Sequence, residues 1–247
     1  MISKTESEIV LMRKACEITK NALEYAKSLI KPGLSTYELD KLVEKYIIDN
    51  DAYPTFKNYG GFPGSICASV NEVVVHGIPS KNVILKEGDI ISIDVGACYK
   101  GYTGDAARTF PVGKISPEKQ QLIKVTEECF FEGIKNLAVG ERIGKLSNAI
   151  QRHAEKFGYG VVRELVGHGV GKNLHEEPNI PNYGYVNQGE RVVNNVCLAI
   201  EPMINMGTRH IYLLDDDWTV VTADGLPSAH YENTVLVTEN GVEILTL

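Results

Sequence analysis

The 247-residue sequence predicts an α+β fold with internal pseudo-symmetry, on three observations. Helical patterns open each half of the chain, strand-like runs follow them, and positions in the two halves correspond at a constant offset. Gly33 and Gly140 each follow a first helix, Leu39 and Leu146 lie in a second, and Ile93-Asp94 and Ile200-Glu201 each end a strand, all 107 residues apart. Two copies are too few for a solenoid but enough for one domain of paired halves, about 1–113 and 114–247. Each copy then brings two carboxylates to a shared seam.

Over residues 7–30 the apolar positions Ile9, Met12, Cys16, Leu23 and Leu29 lie roughly on one helical face, and Lys31-Pro32-Gly33 stops the helix. Ser35-Thr36-Tyr37-Glu38 has the form of a capping box and starts a second helix running towards Ile48. Strands and turns dominate from about Tyr53 to Val112, with Pro and Gly marking the loops. Residues 90–110 read as a hairpin turning near Tyr99-Lys100-Gly101; pairing positions whose numbers sum to 199 sets Asp94 opposite Asp105. Helices are expected again over residues 117–137 and 143–157, separated by a turn at Val139-Gly140, with strands thereafter to Leu247.

Hydrophobic residues make up 43% of the chain, enough for a substantial core. The first eight residues are polar and mixed in charge, without the apolar run of a signal peptide or membrane span. Cys16, Cys67, Cys98, Cys129 and Cys197 are odd in number and form no close pairs, which argues against a disulfide framework and a zinc ribbon and for a reducing cytoplasm. The formal charge of −7 comes with no basic run, so no nucleic-acid footprint is expected.

Asp94, Asp105, His168, Glu201 and Glu232 stand in apolar or glycine-rich stretches that read as core backbone. Carboxylates are costly to bury alone, and several converging imply a cation between them. Cross-strand carboxylates about 5 Å apart repel unless a cation or a proton intervenes. A site dominated by oxygen with one imidazole is hard in character and suits Mn, Fe(II) or Co more naturally than a structural zinc. Two such ions roughly 3.5–4 Å apart lower the pKa of a bridging water and polarise a carbonyl, so hydrolysis is the expected chemistry. His76, before Gly77-Ile78-Pro79, and His175, before Glu176-Glu177-Pro178, lie at loop edges of the kind that mount catalytic groups. His153 is read as a helix-face residue. His230 shares a strand face with Glu232, which fits a place beside the ligands and an ordinary structural place equally.

The motifs Asn71-Glu72-Val73-Val74-Val75-His76-Gly77-Ile78-Pro79, Gly88-Asp89-Ile90-Ile91-Ser92-Ile93-Asp94-Val95-Gly96, Gly167-His168-Gly169-Val170-Gly171, His175-Glu176-Glu177-Pro178, Ala199-Ile200-Glu201-Pro202-Met203 and Tyr231-Glu232-Asn233-Thr234 resemble the type I methionine aminopeptidases in order and spacing. The resemblance implies a pita-bread fold, a curved antiparallel sheet with helices outside and metals inside. It implies two divalent ions, Co, Mn, Fe(II), Zn or Ni, on Asp94, Asp105, His168, Glu201 and Glu232, with Asp105 and Glu232 bridging. His76 and His175 would contact substrate, and Phe56, Tyr59, Phe62, Cys67, Leu174 and Trp218 would wall the methionine pocket. One Na or K would sit on Asn71, Val73 and Ser228, mainly through backbone oxygens. The implied reaction is hydrolysis after an initiator methionine with a small second residue. A metal-bridging hydroxide would attack, Glu201 would shuttle the proton, His175 would stabilise the oxyanion and His76 would contact the scissile amide. The expected partners are the N-terminal methionine of peptides and nascent proteins and, transiently, the ribosome, met by a monomer.

Two other functions are compatible with such a fold. A proline-directed aminopeptidase usually carries a large N-terminal domain, whereas about eight residues precede the first helix here. A non-catalytic binding protein would be expected to have lost ligands that this chain retains. Fold alone does not decide among them.

Overall fold

The computed structural model describes residues 1–247. Helices α1 (Glu6–Leu29) and α2 (Thr36–Asp49) both begin at complete capping boxes, Thr5 with Glu8 and Ser35 with Glu38, each N-cap oxygen accepting from the N3 amide while the glutamate accepts from the N-cap amide. Strands β1 (Tyr53–Pro54), β2 (Ile66–Val70), β3 (Val73–Val75), β4 (Ile90–Tyr99) and β5 (Tyr102–Pro111) complete the first half. Helix α3 (Pro117–Ile134), with Ser116 as N-cap and proline in its first turn, and α4 (Ile143–Glu155) open the second. Both stop two or three residues short of the expected ends. Strands β6 (Gly160–Val161), β7 (Gly167–Gly169), β8 (Glu176–Ile180), β9 (Val196–Ile200), β10 (Met203–Asn205), β11 (Ile211–Leu213), β12 (Val220–Thr222), β13 (Ser228–His230), β14 (Glu232–Thr238) and β15 (Gly241–Ile244) follow.

A nine-stranded antiparallel sheet runs β1-β4-β5-β14-β9-β7-β8, with β2 also on β4 and β15 also on β14. Two three-stranded sheets, β13-β10-β6 and β11-β12-β3, flank it. Alternate residues divide between its faces. Ile91, Ile93 and Val95 of β4 pack with α1 and α2, and Leu198, Ile200, Val235 and Val237 of β9 and β14 pack with α3 and α4, giving each half its own core. Asp94 and Glu232, of opposite parity on their strands, are left for the seam between the halves.

The offset of 107 recurs in the backbone. Ser35 bridges Ile84 and Arg142 bridges Arg191, while Gly33 N donates to Leu85 O and Gly140 N to Val192 O, each pair related to its counterpart by the same 107 positions at both ends.

The β4–β5 hairpin corrects the expected register. Positions sum to 201: Tyr99 pairs with Tyr102, Asp94 lies opposite Ala107, and Asp105 opposite Gly96. The two-residue turn is Lys100-Gly101, at φ +48° and +82°. A turn matched to the strand twist needs positive φ at both central positions, which glycine adopts freely and Tyr99 would not. Because the shift is by two, Asp94 and Asp105 remain on one face as diagonal rather than direct neighbours. No helix is long and apolar enough to cross a membrane.

Candidate metal centre

The carboxylates and the imidazole come from five places on the large sheet: Asp94 on β4, Asp105 on β5, His168 on β7, Glu201 just after β9 and Glu232 at the start of β14. Only Glu232–Ala107 and Asn233–Ala106 pair between β5 and β14, and side chains staple the rest of that seam. Thr234 Oγ1 accepts from Asp105 N at 3.0 Å and donates to Asp105 O at 2.8 Å. Arg108 donates to Glu232 O and, at 2.6 Å, to Asn233 Oδ1. Both carboxylates of the seam are thus placed by backbone held on two sides.

His168 Nδ1 donates to Gly169 O at 2.9 Å, which leaves the Nε2 lone pair facing inward. It meets acceptors there, Glu201 Oε1 at 3.6 Å and Asp105 Oδ2 at 3.7 Å. Lone pairs converging on lone pairs require a cation or added protons between them. Asp94 Oδ1, Asp105 Oδ1, Glu232 Oε1 and His230 Nε2 are buried without any hydrogen-bond partner, an arrangement that metal coordination satisfies. The donor atoms lie within 4.8 Å of one another inside each of two clusters, Asp94-His230-Glu232 and Asp105-His168-Glu232, and Glu232 belongs to both. The donors therefore fit hard or borderline divalent ions.

Electrostatics give the same account. Burial, then mutual repulsion, pushes the Asp94 and Glu232 carboxyls well above the usual range, and burial followed by Asp105 does so for Glu201. Burial raises Asp105 to about 7. Burial lowers His168 to about 4 and His230 to about 3.

His230, whose place the sequence left open, is 1% exposed, with Nε2 3.7 Å from Glu201 Oε2 and 3.9 Å from Glu232 Oε2. Its spacing of two from Glu232 was the available signal, and the tertiary seam decided between the readings. His153 lies on the α4 face against Glu128, at 2.9 Å, and His210 is exposed.

A cavity of about 120 Å³ joins the five donors to His76, His175 and all six expected wall residues. Phe56, Phe62, Cys67 and Leu174 form a buried apolar cluster with Trp218 packed against it. Asp216 accepts from the amides of Trp218 (2.9 Å) and Thr219 (2.7 Å), an Asx turn that fixes the tryptophan. Trp218 then sits edge-on to Phe62, with ring centroids 5.1 Å apart, and to His76, at 6.3 Å. The His175 ring stands perpendicular to that of His168, centroids 4.3 Å apart, and its Nδ1 pairs with the Tyr59 hydroxyl at 2.8 Å. That second role of Tyr59, 42% exposed, was not legible in the sequence. Burial lowers both His76 and His175, keeping them neutral. Away from the cavity, Ser228 N donates to Asn71 O at 2.9 Å, Val73 pairs with Val221 of β12, and Lys119 Nζ reaches Asn71 Oδ1 at 3.0 Å.

The sequence profile of metallopeptidase family M24 matches residues 10–239. A methionine aminopeptidase of Clostridium acetobutylicum is 53% identical over 100% of this chain and 99% of its own length. The crystal structure of the Thermotoga maritima methionine aminopeptidase superposes with a TM-score of 0.97 at 45% identity, covering 100% of this chain and 99% of that one. A prolidase of Pyrococcus furiosus, at 26% identity and a TM-score of 0.81, covers 100% of this chain but has only 65% of its own length matched.

Proposed function

The chain belongs to metallopeptidase family M24, among its methionine aminopeptidases, metal-dependent hydrolases that remove an N-terminal methionine, and we propose that its substrates are nascent proteins with a small second residue. The observation that carries this reading is the buried donor set, acceptor facing acceptor, beneath an apolar cavity. Asp94, Asp105, His168, Glu201 and Glu232 would hold two divalent ions, and Mn, Fe(II), Co, Ni and Zn all suit the donors. When bound, these ions supply a water of lowered pKa and polarise the peptide carbonyl.

The remaining steps belong to the chain's own groups. Glu201 takes up the proton released at the attacking oxygen and delivers it to the departing amine. His175, held by Tyr59 at Nδ1, turns Nε2 to the carbonyl oxygen and donates to it as charge develops. His76 contacts the scissile amide. Phe56, Tyr59, Phe62, Cys67, Leu174 and Trp218 enclose the methionine side chain; each buried methylene contributes about 0.8 kcal/mol, and sulfur against an aromatic ring adds roughly 0.3–1.5 kcal/mol. A cavity of about 120 Å³ admits one side chain, far below the roughly 300–1,000 Å³ of pockets that take larger ligands whole.

The same reading takes residues 1–247 as one catalytic domain with halves of about 1–113 and 114–247, a cytoplasmic monomer that meets the ribosome transiently. Its five free cysteines fit a reducing compartment. Asn71, Val73 and Ser228 would hold one Na or K through main-chain oxygens.

The test is cleavage by apoprotein reloaded with single metals. Met-Ala-Ser is cleaved, its N-acetylated form is spared, and Ala-Pro-Ala is poor. Faster cleavage of Ala-Pro-Ala than of Met-Ala-Ser would assign the chain to proline-directed chemistry instead, and no cleavage of either would make it a binding protein.

A further inference from the structure

Near the start of the chain, Lys4 buries its ammonium against the Glu176 carboxylate, Nζ 2.5 Å from Oε2, with both side chains 4% exposed. The backbone on the Lys4 side is fixed. Lys4 N donates to Asn195 O at 2.7 Å, Ser3 bridges Val196, and Thr5 caps α1. The other partner, Glu176, directly follows His175, and its backbone pairs with Gly169 beside His168. Its second oxygen, Oε1, accepts from Asn173 N at 3.3 Å, inside the loop that carries His175. At Gly171 of that loop a Cβ would overlap Lys4 Nζ and stand 2.6 Å from Glu176 Oε1, so the glycine makes room for the ion pair.

An apolar pair would stabilise the fold as well as a buried ion pair does or better, so stability alone is a weak reason for this one. What a charged pair adds is a fixed distance and direction. His175 is then held twice, at its ring by the partly exposed Tyr59 and at its backbone through Glu176. We infer that Lys4 is a positioning residue, which through Glu176 sets where His175 stands over the reacting carbonyl. This rests on the role of His175 proposed above; Lys4 itself touches neither substrate nor metal donors.

The test is a cycle on metal-replete protein with Met-Ala-Ser. Lys4→Met lowers kcat about 10–100-fold, the scale of a group misplaced by about an ångström, with KM and bound metal changed less than about threefold. In the His175→Ala background the same substitution costs less than about twofold, because the group it positions is gone. An equal loss of kcat in both backgrounds would make Lys4 scaffold only, overturning the inference and leaving His175 its role. A His175→Ala enzyme with unchanged kcat would overturn both. Should Lys4→Met fail to fold, Lys4→Met/Glu176→Leu, which replaces the pair by apolar side chains, goes through the same cycle with the same expected and overturning results.

Discussion

Between the N-terminal half, where Ser35 bridges Ile84, and the C-terminal half, where Arg142 bridges Arg191, the backbone repeats at an offset of 107, and so does the strand end that carries Asp94 in one and Glu201 in the other. The repeat then breaks down. Asp105 and Glu232 are 127 positions apart, and the extra length in the second half includes the β11–β12 hairpin that brings Trp218 to the cavity. His168, His175 and His230 all come from the second half, whereas Phe56, Tyr59, Phe62 and Cys67 come from the first. What repeats seats charge. What does not repeat adds the other donors and the groups that line the cavity.

The largest expected effects test the carboxylates, first the pair where the repeat breaks down and then the pair that obeys it. Asp105→Asn and Glu232→Gln should each lower kcat/KM for Met-Ala-Ser by about 10³-fold or more, the scale of removing groups that act in the transition state, and by similar amounts. Asp94→Asn and Glu201→Gln occupy equivalent strand ends, yet the second should be worse by a further tenfold or so, because it also removes the proton carrier. Equal losses in that pair would take the proton transfer away from Glu201.

Metal affinity should separate carboxyls from imidazoles. Below about 7 the Asp105 carboxyl holds a proton that an entering cation must displace, so affinity falls as pH drops through that value. His168 and His230, lowered to about 4 and about 3, are already neutral there and add no protons to the exchange. Calorimetric titration with Mn(II) should show affinity falling about tenfold in all between about pH 8 and pH 6 for the Asp105 proton, with the steeper part below about 7. A flat profile would mean that the carboxyls are ionised without the metal.

The smallest effect tests the shared backbone alone. Gly33 and Gly140 stand at φ +90° and +85°, with open space where a Cβ would go. Alanine at either should cost about 1–2 kcal/mol through left-handed strain, equally in both, with kcat unchanged. Thermal unfolding of the two variants measures it, and unequal losses would show that the two turns bear different loads.

What the sequence made legible was local chemistry that the tertiary structure did not override. Ser35 and Glu38 are written as a capping box and form one, and Thr5 with Glu8, at the same spacing, forms a second. The candidate metal donors were visible because acidic side chains at the ends of apolar strands are rare without a reason. The hairpin register missed by two, since locating the turn depends on which residue takes positive φ before Gly101. His230, the Tyr59–His175 contact and the Lys4–Glu176 pair depend on strands and straps brought together from distant segments, and no local pattern encodes them.

The seam between β5 and β14 has a consequence for the order of synthesis. Asp105 and Glu232 come together through two ladder pairs and the bonds of Arg108 and Thr234, across segments more than 120 positions apart. Loop closure over that distance has to precede the contacts that reward it. The first half, with α1 and α2 over its own core, can collapse as soon as β5 is made, and it already displays His76, Asp94, Asp105 and most of the hydrophobic wall. It still lacks His168, Glu201 and Glu232. A copy translated only through β5 therefore lacks three of the five donors, and the seam that unites them closes only when β14 emerges.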